Sequence, residues 1–570
     1  MSRAPRELTV RALITGVLLG AVLTPSNVYS GLKIGWSFNM SIIALLVGFA
    51  FWQGLARVWH APAWTLHESN INQTAASSAA SIISSGLVAP IPAYTLITGV
   101  QLDTLPLIAW VLSVSFLGIW IAWYLRPSLI VQAQLRFPEG MATLATMQQI
   151  YSHGAEALRR LAVLGAAAVA AAAVKLVDSL LWALPRWAPT AQLERLTFTL
   201  EPSLLLVGFG GIIGLRVGLS LLLGAVLAWG VLAPWLVDQG LVRMPGDAAG
   251  PQFALLIEWL LWPGVSLMVC ATLTSLGLRM LAARREEASR SLSLRRPALM
   301  PAAGLALAAA LVVALQVRLF GIHPGMALLS IPLAVLLAMV AARVVGATGI
   351  PPIGAIGQLS QLSFGAIAPG QVAINLMSAN TAGGAAGQCT DLLNDFKVGH
   401  AIGATPARQV VAQCLGIFAG SLVGVLVYQL LIPDPEAMLI TPEWPAPAVA
   451  TWKAVAEALT GGLGSISLDI RWAMLVGALL GVVLGALEAT LPARRMRWLP
   501  SSAALGLACI IPASISLMMA FGAVLAWLVA ARWGGLAERF VIVAAAGLVA
   551  GESMAGVGIS LWQLLGQGGP

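Results

Sequence analysis

"TLPLIAWVLSVSFLGIWIAWYL", Thr104–Leu125, runs for twenty-two residues without one charged side chain. A helix rises about 1.5 Å per residue, so such a stretch reaches across the ~30 Å hydrocarbon core of a bilayer. Ala12–Leu32 and Ile34–Ala56 repeat the pattern. Of the 570 residues, 59% are hydrophobic and only 9% charged, with mean hydropathy +0.89; a soluble domain carries about 25% charge. The chain therefore reads as an all-α polytopic membrane bundle of about 14–16 transmembrane helices. A membrane β-barrel is excluded, because it would show alternating strands of about ten residues.

The net charge of +8 could suggest a nucleic-acid partner, but its distribution points to a lipid bilayer instead. Arg3, Arg6 and Arg11 precede the first apolar run, while Arg279, Arg284, Arg285, Arg290, Arg295 and Arg296 cluster mid-chain. The positive-inside rule puts both clusters, and hence the N-terminus, on the cytoplasmic side of a cell inner or plasma membrane. An even number of crossings separates them. The first apolar run leads straight into another, so it reads as a retained helix rather than a cleaved signal. Cys270, Cys389, Cys414 and Cys509 show no paired spacing and read as free thiols.

The stretch "RREEASRSLSLRRP" divides the chain into two halves of similar length. Residues 1–280 read as a first membrane repeat, 281–298 as a cytoplasmic linker and 299–570 as a second repeat. "PSLLLVGFGGIIGLRVGLSLLLGAVLAW" from Pro202 aligns without gaps on "PSSAALGLACIIPASISLMMAFGAVLAW" from Pro500, with twelve of twenty-eight positions identical. "RFPEGMA" (Arg136–Ala142) echoes "DFKVGHA" (Asp395–Ala401) more weakly. Repeats of the same orientation occur in secondary transporters that rock around a central site, and in channels too.

One segment breaks the apolar monotony: "HESNINQTAASSAASIISSG", His67–Gly86. Thr65 and Glu68 form a T-x-x-E capping box, so a helix begins there. Asn70, Gln73, Thr74, Ser77, Ser81 and Ser84 then recur at steps of three and four and share one face, until Gly86, Pro90 and Pro92 stop the helix. Such a stripe avoids lipid and faces protein or a water-filled path. Small and hydroxyl residues suit close helix packing, whereas Glu68, Asn70, Asn72, Gln73 and Thr74 favour the wall of a substrate route.

"SANTAGGAAGQCTDLLNDFKVGHA" gives the second half a matching stripe. Asn380, Gln388, Asp391, Asp395 and Lys397 are its candidates for substrate contact, and Gly383–Ala386 indicates close packing or a bend. "GIPPIGAIGQLSQLSFG" (Gly349–Gly365) and "LRFPEGMATLATMQQ", with Arg136 and Glu139, read as broken or re-entrant helices. Their exposed backbone ends can bind charged solutes inside a bilayer.

"HESNI" lacks the second histidine of H-E-x-x-H, so metal-hydrolase chemistry is not indicated. "GFGGIIG" (Gly208–Gly214) follows no strand; Gly210, Gly214 and Gly218 read as helix-packing glycines. No nucleotide-binding G-x-x-x-x-G-K-[ST] occurs, no histidines have ligand spacing, and no nucleophile meets a base. The expectation is a non-enzyme without metal or cofactor, driven by an ion gradient or by a partner protein. Glu552 ("VAGESMAG") and Glu258 ("ALLIEWLLWPG") stand in apolar surroundings and are candidates for proton coupling. Lys175 should pair with Asp178, and Glu488 with the adjacent "ARRMR".

"RELTVRALITGVLLGAVLTPSNVYSGLKIG", "ESNINQTAASSAASI", "RPSLIVQAQLRFPEGMA", "VGATPARQVVAQCLG" and "GESMAGV" occur in this order from Arg6 to Gly558. Together they resemble the oligopeptide transporter (OPT) family, in particular its prokaryotic branch, related to the yellow-stripe-like transporters. The resemblance implies about sixteen helices and proton-coupled import of small peptides, peptide-like solutes or metal chelates. It carries over to Glu68, Asn70, Gln73, Arg136, Pro138, Glu139 and Gly140. The N-P-G and K-I-P-P-R signatures of the fungal and plant peptide branch are absent. The expected partners are thus a small peptide-like substrate or metal chelate, protons and the lipid bilayer, with a homodimer compatible.

Overall fold

The computed structural model describes residues 7–35, 39–60, 62–152, 154–243, 250–287, 299–349, 353–462, 464 and 466–567. These residues fold almost wholly into helices, and thirteen of the helices are long and apolar enough to cross a bilayer. That tally omits Val372–Ala401, which is long enough but too polar, and the half-length Leu204–Ile213. Residues 288–298 of the expected linker lie outside the described residues, as do Arg3 and Arg6.

The chain divides into two compact units, each drawing on both sides of that linker. One comprises Met1–Val28, Trp36–Leu161 and Glu287–Gln429; the other comprises Tyr29–Gly35, Ala162–Glu286 and Leu430–Pro570.

The first unit is organised around the thirty-residue helix Val372–Ala401. It runs unbroken through Gly383–Ala386, so this run is a packing face rather than a bend. A methyl group on Gly384 would stand 3.0 Å from the Ser85 Cα, and one on Gly387 2.8 Å from the Ser84 side chain. The polar helix Leu66–Ala80 is buried from Glu68 onward. Gly16 and Gly20 of helix Val10–Ile34 press on Asn72 and Ala79, while Gly416 and Gly420 of helix Pro406–Leu431 press on Ala75, Ser78 and Ala79. Lipid supplies no hydrophobic drive between helices, so such close backbone packing, with interhelical hydrogen bonds, helps hold them together. Ile71 and Ala75, off the polar stripe, join an apolar cluster with Leu45, Phe49 and Met147.

The helix ends as its sequence indicates. The Thr65 Oγ1 accepts from the Glu68 N–H at 3.2 Å and Glu68 accepts from the Thr65 N–H at 3.0 Å, completing the capping box. A short 3-10 segment, Ser81–Ser85, runs to Gly86, whose φ of +115° only glycine adopts readily. The break before Pro138 is also present. Gln134 and Phe137 take positive φ, and the Phe137 N–H donates to the Gly346 carbonyl at 2.9 Å before helix Pro138–Ser152 begins. Ile350–Pro352 lie outside the described residues; helix Ile353–Ile367 follows them.

Both aligned segments fall in the second unit, and each is a short helix, a break and a second helix. Leu204–Ile213 breaks at Gly214 before Leu215–Ala225, and Ser502–Ile510 breaks at Pro512 before Ala513–Arg532. Gly214 and Pro512 occupy the same alignment position. The packing is reciprocal: Gly224 abuts the Leu505 carbonyl and Gly522 abuts the Val207 carbonyl. Gly224 aligns with Gly522 and Val207 with Leu505, so each segment offers the other the same contact.

Three local readings need correction. Gly210 and Gly218 do pack closely, but Gly214 has φ +81° and nothing within 4 Å of a would-be Cβ, so it is a break. Asp178 lies 3.8 Å from the Arg186 guanidinium, not paired with Lys175, and accepts from the Leu184 N–H, because the chain turns back just beyond it. Glu488 pairs with Arg216 at 2.9 Å rather than with the adjacent arginines, since a neighbouring helix presents a closer guanidinium.

Candidate functional site

The two polar stripes meet within the first unit. Ser77 Oγ donates to Asp391 Oδ1 at 3.0 Å, and Ser81 Oγ reaches Asp391 Oδ2 at 3.3 Å and Gln388 Oε1 at 2.9 Å. Gln413 Nε2, from helix Pro406–Leu431, donates to Asp391 Oδ2 at 3.4 Å, and Gln388 Nε2 returns to the Ser78 carbonyl at 3.4 Å. One turn onward Asp395 lies beside Gln73 and Thr74. Asp395 is 3% exposed, and its Oδ2 has no hydrogen-bond partner among the described residues. Gln409 Nε2 holds the Asp395 main-chain carbonyl at 2.8 Å.

A third carboxylate borders this seam. Asn394 Nδ2 donates to Glu139 Oε2 at 3.1 Å, and the Gly140 N–H donates to Asn394 Oδ1 at 3.3 Å. Gly140 suits this place because its Cα lies against the Asn394 carbonyl, where a Cβ would stand at 2.5 Å.

Asp391 and Asp395, four residues apart, share a helix face. Neither makes an ion pair with a basic side chain among the described residues. Burying two carboxylates without a cation costs several kcal/mol unless a proton or positive group accompanies them. Around them Asn70 Nδ2, Gln73 Oε1 and Gln413 Oε1 are buried without partners among the described residues. The seam runs from half-buried Ser81 and Asp391 to fully buried Gln73 and Asn70.

The remaining candidates scatter. Glu68 is occupied by Arg11, whose Nε and Nη2 each lie 2.6 Å from its oxygens, and by Thr9 Oγ1 at 2.7 Å. Arg11 also binds the Pro62 and Ala63 carbonyls and lies over the Trp52 and Trp64 rings. Glu68 is thus half of a helix-start clamp. Asn72 turns to the Ala44 carbonyl at 2.9 Å. Asn380 packs against Gly86, with neither side-chain polar atom bonded among the described residues. Lys397, two residues beyond Asp395, projects from the far side of the helix, and Arg136 is exposed.

Glu552, in the second unit, is 4% exposed and accepts from Ser203 Oγ and the Leu205 N–H, both at 2.7 Å. It caps the half-helix Leu204–Ile213, with Lys175 and Lys33 as nearby charges. Glu258 is exposed on helix Phe253–Glu287 and lies in no buried polar group. Sequence reading missed Gln409 and Gln413, although their four-residue spacing in "ARQVVAQ" marks an amide face. It also missed Glu7, which accepts from the Thr405 N–H at 2.9 Å and so caps the start of helix Pro406–Leu431.

The OPT oligopeptide transporter family profile matches residues 7–563, nearly the whole chain. This protein belongs to the OPT family. A Haemophilus influenzae protein provisionally named an oligopeptide transporter is 26% identical, over 93% of this chain and 91% of its own. A similarly named Saccharomyces cerevisiae protein is 24% identical, over 97% and 95%. The metal-nicotianamine transporter YSL2 of Arabidopsis thaliana is 23% identical, over 96% and 92%. An OPT-family, multi-pass membrane transporter accounts for the helix content.

Proposed function

We propose that this OPT-family protein is a proton-coupled symporter that imports small peptide-like solutes, with the Asp391–Asp395 seam as the coupling and binding element. It sits in the cell inner or plasma membrane with its N-terminus cytoplasmic. The supporting observation is the acidic pair itself: two carboxyl groups, one fully buried, ringed by amides and hydroxyls and paired with no cation among the described residues. A proton or a substrate ammonium group supplies the missing positive charge. Glu139, held by Asn394 beside the half-buried end, extends the acidic lining.

Glu552 is the second coupling candidate. Its carboxylate already satisfies a helix start, so its protonation would loosen Ser203 and the Leu204–Ile213 half-helix rather than act on solute directly. Uptake of labelled di- to tetrapeptides into vesicles, with and without an inward proton gradient, tests the reading. Equal uptake under both conditions removes the coupling.

A second reading is import of metal chelates of peptide-like ligands, favoured by the similarity to YSL2. Inhibition of peptide uptake by metal-loaded but not metal-free chelator would support it.

A further inference from the structure

We propose that a groove in the second unit is a binding site for an anionic phospholipid. The groove encloses about 610 Å³ between the start of helix Leu215–Ala225 and the loop Arg497–Pro500. Leu215, Leu219, Leu223 and Trp527 form its wall. Leu219, Leu223 and Trp527 are 45%, 44% and 50% exposed, on segments apolar enough to span a bilayer. An open apolar wall on membrane-spanning helices is suited to acyl chains.

The rim supplies the opposite chemistry. Arg497 borders the groove, its guanidinium 5.3 Å from the Trp498 ring, and Trp498 is 81% exposed. Arg494 and Arg495 are exposed beside them. None of the three arginines has an acidic partner among the described residues. The carboxylate nearby, Glu488, is fully used: it accepts from Arg216 at 2.9 Å, from the Ser502 N–H at 3.1 Å and from Ser502 Oγ at 2.8 Å. Arg216 is spent in turn, its Nε donating to the Leu499 carbonyl at 2.8 Å, which fixes the loop over the groove.

Unpaired guanidinium groups above an apolar wall, with tryptophans between, match a lipid phosphate above its chains. Arginine binds phosphate oxygens through its planar fork, and tryptophan settles at headgroup depth. The occupant is thus a membrane phospholipid of net negative charge.

Purified full-length protein is exposed to phosphatidylglycerol or phosphatidylcholine in micelles, and retained lipid is counted by native mass spectrometry. Each arginine near an anionic surface contributes about fivefold in affinity, so the three together should favour retention of phosphatidylglycerol over phosphatidylcholine by roughly a hundredfold. Arg497→Gln should remove about fivefold of that preference, and Leu219→Trp, which fills the wall without altering charge, should lower retention of both lipids. Both positions are exposed, and an unchanged gel-filtration profile confirms folding. Wild-type retention in both variants overturns the proposal. So does displacement of phosphatidylglycerol by millimolar inorganic phosphate, which would mark a simple anion site.

Discussion

Replacing Glu68 by glutamine should destabilise the protein by about 3 kcal/mol without altering its affinity for solute. The carboxylate is 2% exposed and receives Thr9 Oγ1, Arg11 Nε, Arg11 Nη2 and the Thr65 N–H at 2.7, 2.6, 2.6 and 3.0 Å. A glutamine keeps one oxygen but turns an NH2 group toward donors, so two charge-assisted bonds are lost. Each contributes roughly 1.5–3 kcal/mol. Arg11 remains 21% exposed, so water recovers part of the loss. Thermal unfolding in detergent, followed by tryptophan fluorescence, should be measured for Glu68→Gln, Arg11→Met and the double variant. The pair should show a coupling of about 2 kcal/mol, because the second change costs little once the first is made. A fully stable Glu68→Gln, or losses that simply add, would refute the clamp. A raised KM in folded Glu68→Gln protein would return this residue to the solute path.

Gly416→Val should abolish folded protein, since any Cβ there meets the Ala75 carbonyl and the Ser78 hydroxyl; the yield of monodisperse material checks it. Gly214→Ala should fold but lose about 1–3 kcal/mol, because φ +81° with ψ 169° is a conformation essentially confined to glycine while its surroundings are open; the midpoint of thermal unfolding checks it. Glu552→Gln should loosen the half-helix Leu204–Ile213, which accelerated hydrogen exchange at Leu205 would report.

Much of this architecture can be read from sequence, because membrane helices announce themselves by length and by absence of charge. The capping box at Thr65 and Glu68 is local, so it was readable, as was the stripe from Asn70 to Ser81. What periodicity cannot supply is the partner. Arg11 reaches Glu68 across fifty-seven residues, and Asp391 meets Ser77 across 314. Gly214 misled for a related reason: glycines four apart signal packing, yet only the backbone angle distinguishes a contact from a break. Glu258 looked buried by its apolar neighbours, but one face of a membrane helix is open, and its position decides the matter. The division into compact units follows neither half of the chain, because each unit pairs segments distant in sequence.

The coupling claim rests on Asp395, and Asp395→Asn in proteoliposomes addresses it most directly. The account predicts that this variant loses accumulation driven by an inward proton gradient while still exchanging labelled for unlabelled solute at equal pH. Gradient-driven accumulation at the wild-type level would contradict it.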